Sequence, residues 1–227
     1  MDRGLHSFLA FYEGGDVRIR RFILTAVVLA LAPSLAPAQD FGVMESAETI
    51  NRGNFKLKGN PMIIIGRDEA DNETGVALSA GYGFTRTLDA EAKLAFYEDL
   101  MFFGGDVELN LMSVLRNQPL DLSVSVGFHI GNADNDFLDT RAFDVTILGS
   151  KLIAERLEFY GGLDLAFNKF TDDFFDDIED DGYTSAHLVP GIEYAVGRDL
   201  DLLAEFGIAL NDDSSHYFSA GLAYYFR

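Results

Sequence analysis

Cysteine is absent from the 227 residues, which removes disulfides and thiolate metal sites together. Tryptophan is absent as well, although twenty Phe and nine Tyr make the chain rich in the other aromatics. Positive charge is scarce: 17 Lys and Arg stand against 37 Asp and Glu, a formal net charge of −20. That sign repels a phosphate backbone and excludes nucleic acid as a natural partner. No phosphate-binding loop, dinucleotide fingerprint or zinc-protease motif occurs, and no cofactor is implied. Long apolar runs are missing too, apart from one near the N-terminus.

That run has the layout of a secretory signal. Arg18, Arg20 and Arg21 precede the eleven residues Phe22 to Ala32, apolar except for Thr25. Pro33 ends the run, and Ala36-Pro37-Ala38 supplies a small-x-small cleavage pattern. A spanning helix needs about 20 apolar residues, so this segment is expected to be removed rather than to anchor the chain. Residues 1–38 are therefore assigned to a signal peptide, with 1–16 better explained by a start at Val17. The remainder, 39–227, holds 13 basic and 34 acidic residues, a net charge of −21. It contains no helical span. An exported chain without disulfides must be held by closure of its fold or by a membrane, and in lipid the strand solution is a closed barrel.

Alternation with period two recurs throughout the mature chain. Leu200, Leu202, Ala204, Phe206, Ile208 and Leu210 share one face, opposite Asp201, Leu203, Glu205, Gly207 and Ala209. Leu120, Leu122, Val124, Val126, Phe128 and Ile130 do the same opposite Asp121, Ser123, Ser125, Gly127 and His129. A helix would scatter these residues, whereas a strand separates them. The pattern predicts an all-β fold of about ten strands, near 53–65, 74–85, 87–97, 101–112, 120–131, 141–150, 156–168, 183–194, 199–210 and 216–226. Each is about the length of a tilted transmembrane strand. Pro61 and Pro190 fall inside two of them. Residues 39–52 are left as a periplasmic N-terminal segment before a barrel at 53–227, with a plug, a tether and part of the first strand all open as its role.

The connections sort by charge without having been chosen for it. Residues 67–73, 98–100, 132–140, 169–182 and 211–215 hold eighteen acidic and two basic residues. Residues 85–87, 113–119, 151–155 and 195–198 hold Glu155 against Arg86, Arg116, Lys151 and Arg198. Odd and even loops thus face different environments, and the longer acidic set is expected outside the cell.

The last strand, with Phe218, Ala220, Leu222, Tyr224 and Phe226 on one face, resembles the C-terminal signal that outer-membrane assembly machinery reads. Leu222, Tyr224 and Phe226 carry it, with Phe226 penultimate and Arg227 last. The mature chain as an architecture is similar to small OmpA-like and porin-like outer-membrane barrels. The resemblance implies a single closed antiparallel transmembrane barrel in the bacterial outer membrane, with lipid and the assembly machinery as partners. A soluble barrel of lipocalin type would reverse the faces. Small residues opposite the apolar face (Gly75, Ala77, Ser79, Gly81, Gly83) suit a crowded interior instead.

On the expected lumen face lie Asp89, Glu91, Asp106, Glu108, Asp121, Asp144, Glu158, Asp164, Glu193, Asp201 and Glu205. Lys56, Lys58 and Lys93 share it, with Arg141 near the rim. Eleven carboxylates cannot all pair with four cations, so the remainder must reach water, hold protons or bind metal ions. The expectation is a non-enzymatic barrel, either plugged by its own side chains or passing small solutes and cations. The loop at 169–182 carries Asp172, Asp173, Asp176, Asp177, Glu179, Asp180 and Asp181 around Phe174 and Phe175. Its oxygens make divalent cations candidate partners there, although the spacing is not an EF-hand. Two alternatives remain: a surface hydrolase, similar to omptin-type proteases, using His216 beside Asp212, Asp213, Ser214 and Ser215; and a soluble ligand-binding barrel.

Overall fold

A computed structural model describes residues 42–66, 72–98, 100–133, 140–170 and 182–227. Among them are β1 (Phe55–Ile65), β2 (Glu73–Gly83), β3 (Leu88–Phe96), β4 (Leu100–Met112) and β5 (Asp121–Ala133). They continue as β6 (Thr140–Ala154), β7 (Leu157–Phe170), β8 (Gly182–Ala195), β9 (Leu200–Ala209) and β10 (His216–Phe226). Every strand pairs antiparallel with its sequence neighbours, and β1 pairs with β10 to close the barrel. Closure leaves no edge unpaired, the condition for a sheet in lipid.

The period-two pattern dictates which way each wall faces. Leu57, Ile63, Val107, Phe128, Leu188 and Leu222 are exposed on the outside. Lys58, Ser79, Glu91, Ser125, Asp164 and Ser219 are buried inside. A soluble barrel would have the opposite arrangement, so the soluble ligand-binding alternative fails on face chemistry. Aromatics gather near the turn end of the wall, where Phe55 and Tyr82 rings lie 4.7 Å apart and Tyr224 and Phe226 rings 4.8 Å apart. Such girdles mark a membrane–water boundary.

Both prolines sit where one ladder is interrupted. The β1–β10 pairing skips from Gly59 to Met62 around Pro61, and Ser219 Oγ donates to the Pro61 carbonyl at 3.0 Å. The β8–β9 pairing likewise skips from Leu188 to Gly191 around Pro190. Each proline thus turns its missing donor toward a gap rather than a partner.

Two expectations are corrected. The turn expected at 151–155 is mostly strand: β6 runs to Ala154, with Lys151 opposite Phe159 and a register shift between Leu152 and Ala154. Arg141 is not a lumen cation. It pairs with Ile130 and Lys169 on the outward parity and is exposed. The assigned signal peptide, and the acidic residues Asp172, Asp173, Asp176, Asp177, Glu179, Asp180 and Asp181, lie outside the described residues.

Candidate functional site

The lumen is filled from within. Residues 42–50 run through the barrel interior before β1 begins, and Val43, Met44, Glu45, Ser46, Ala47 and Ile50 are buried there. Of the roles left open for the N-terminal segment, residues 42–50 take that of a plug. The physical reason is its bonding, which reaches inward-facing side chains around the wall.

Glu205 on β9 holds the upper end. Its Oε1 accepts the Val43 N–H at 2.8 Å and the Tyr217 hydroxyl at 3.0 Å. Its Oε2 accepts the Met44 N–H at 2.6 Å and the Tyr160 hydroxyl at 3.1 Å. Four donors saturate one buried carboxylate, which is how a charge is tolerated away from water. Gly42 reaches this position at φ +65°, and a Cβ there would meet Glu205 Oε1 at 2.8 Å. A side chain would be strained by both conformation and contact.

Below that anchor the segment's carbonyls and one acid meet the lumen lysines. Lys58 Nζ donates to the Met44 carbonyl at 3.1 Å and pairs with Glu91 at 3.2 Å. Lys56 pairs with Glu91 and, at 3.5 Å, with Glu45. Lys93 pairs with Asp106. Apolar contacts alternate with these bonds: Val43 and Ala47 pack on Leu148 and Val189, and Met44 packs on Leu203 and Ala223.

The lower end is fastened by backbone groups. Ala47 N–H donates to Ser150 Oγ at 3.1 Å, and Asn110 Nδ2 donates to the Ala47 carbonyl at 2.8 Å. Ile50 N–H donates to Asp89 Oδ2 at 2.5 Å. Gly83 is required where the segment leaves over β2, because a Cβ would stand 2.3 Å from the Ile50 carbonyl oxygen.

All eleven acidic side chains expected on the lumen face point inward. Asp89, Glu91, Glu108, Asp121, Glu158, Asp164 and Glu205 are buried, and Asp106, Asp144, Glu193 and Asp201 are partly so. His129 Nδ1 lies 2.9 Å from Asp144 Oδ2. Asp164 Oδ1 accepts the Thr146 hydroxyl at 2.6 Å. Glu108 Oε1, Glu158 Oε1 and Asp164 Oδ2 are buried without a hydrogen-bond partner, so the cost of excess carboxylate falls on them.

Cavities lie at the loop end of the lumen and beside the segment. One of about 250 Å³ opens toward the acidic-loop end, lined by residues including Met62, Leu100, Tyr183, His187 and Asp213. The other, beside Gly42, Glu45, Lys93 and Asp106, measures about 20 Å³, too small for a solute path.

Two of the rim residues in the hydrolase alternative have partners away from one another. His216 faces the outer wall, stacks on Phe206 and accepts the Ala209 N–H at 3.0 Å. Ser214 Oγ engages Asn211 and the Ala186 N–H instead. Sequence reasoning missed Val43, Met44, Glu45, Tyr160 and Tyr217 as lumen partners. The available signal was the apolar spacing of Val43, Met44, Ala47 and Ile50 in a stretch too short and too apolar for a solvated tether.

The outer membrane protein beta-barrel domain model matches residues 22–226. Among solved structures the chain is similar to the KdgM porin, at 9% identity and TM-score 0.43 over 76% of this chain and 99% of that one. Omp33 of Acinetobacter baumannii aligns at 11% identity and TM-score 0.40, covering 76% and 98%. OprG of Pseudomonas aeruginosa aligns at 13% identity and TM-score 0.36, covering 81% and 100%. No curated protein sequence matches the chain.

Proposed function

The chain belongs to the outer membrane protein beta-barrel domain family, and we propose that it works in the bacterial outer membrane as a self-stoppered barrel. The seated segment 42–50 closes the lumen, and the wall serves to carry the acidic loops on the outer surface. The observation that supports this is the pair of anchors at the two ends of the segment: Val43 and Met44 N–H on Glu205, and Ile50 N–H on Asp89. Backbone donors aimed at wall carboxylates fix a chain in place in a way that side-chain packing alone does not.

A passive cation channel is the second reading. It is favoured by the excess of lumen carboxylates over Lys56, Lys58 and Lys93, and it requires the segment to leave. Planar-bilayer current distinguishes the two. Residues 39–227 are expected to insert without steady conduction, and a chain beginning at Gly53 to give discrete cation-selective steps. Equal, continuous conduction by both would overturn the stoppered barrel.

A further inference from the structure

At the turn end of the lumen the segment and the wall bring three carboxylates together. Glu48 lies on the segment, Asp121 opens β5 and Glu158 lies near the start of β7. One carboxylate oxygen from each falls within 4.8 Å of the others. Asp121 and Glu158 are buried. Glu48 is exposed as a residue, but its carboxylate end reaches these buried partners. No Lys, Arg or His lies within salt-bridge distance of any of the three among the described residues.

An independent observation points to a ligand. Glu158 is 7% exposed; Ser150 bonds its carboxylate, and its Oε1 is left buried with no hydrogen-bond partner. Asp121, by contrast, spends Oδ1 on the Val114 N–H at 3.1 Å. A bare buried carboxylate oxygen among two other acids is costly unless something positive meets it.

We propose that Glu48, Asp121 and Glu158 bind a calcium-class divalent cation, which clamps the foot of the N-terminal segment to the barrel wall. Oxygens are the ligands hard cations take, and two oxygens bound to calcium at about 2.3–2.6 Å stand at most roughly 5 Å apart. One ligand comes from the segment and two from the wall, so the cation holds the segment only while it is seated. The site lies at the end of the barrel opposite Phe170 and Gly182, where β7 ends and β8 begins.

The inference rests on the seated segment and not on whether the barrel conducts, so it is tested by binding rather than current. Protein extracted from outer membranes, stripped with chelator and held in detergent, is titrated with calcium by calorimetry. Glu158→Gln and Glu48→Gln are each expected to weaken one binding event by on the order of tenfold or more. Glu48 lies outside every strand, so Glu48→Gln keeps the test valid if Glu158→Gln fails to fold. Calcium binding that is identical in the unaltered protein and both variants, or absent from all three, would overturn the proposal.

Discussion

On β4 the same strand builds two different walls. Met101, Phe103 and Val107 stand outward, while Phe102, Asp106, Glu108 and Asn110 stand inward. The outward set needs little beyond being apolar, because lipid has no shape to match. The inward set is specific: Asp106 takes Lys93, and Asn110 takes the Ala47 carbonyl and Arg116. Substitutions outside should therefore be judged by polarity, and substitutions inside by which partner is stranded.

The largest effect is expected at the inner anchor. Glu205→Ala strands the Val43 and Met44 N–H groups and the Tyr160 and Tyr217 hydroxyls. At about 1–3 kcal/mol per buried unsatisfied donor, the segment should unseat rather than tolerate the loss. Bilayer recordings should show openings that the unaltered barrel lacks, and a silent variant would detach Glu205 from closure.

Next comes the outer wall at mid-height. Val107→Arg should cost about 2–4 kcal/mol of folding stability in vesicles, read from urea titration. Val107→Leu at the same position should cost about 1 kcal/mol or less. If the two substitutions cost the same, the outer face does not meet lipid.

The smallest effect is a pH dependence at the foot of the segment. Glu48 has its carboxyl pushed above 4.5, first by burial and then by Asp121 and Glu193. The folded state then holds a proton the unfolded chain releases, so stability of the seated segment falls as pH rises past about 4.5. In chelator this slope should be present, and Glu48→Gln should flatten it, with unfolding midpoints as the measure.

Much of this architecture is legible in the sequence because period two is local. Leu200 through Leu210 declare their faces without reference to any other strand, and Pro61 and Pro190 only interrupt single ladders. The slips occur where one residue of parity matters, as at Arg141, or where apolar Leu152 and Ile153 prolong β6 beyond its expected turn. The wall partners of the inserted segment were not legible for a different reason. Val43 and Glu205 lie 162 positions apart, and nothing in either neighbourhood announces the other. The carboxylate excess did announce that something was needed. Water, protons and metal ions were the expected remedies, and backbone N–H groups of the chain's own N-terminal segment are the one observed at Glu205 and Asp89.

Ala47 is fully buried at the centre of the segment, and the chain has no native cysteine to confuse a thiol label. Ala47→Cys in intact outer membranes, treated with a membrane-impermeant thiol reagent, tests the seated segment directly. The account predicts no labelling until the barrel is unfolded; labelling at the unfolded rate in the intact membrane would contradict it.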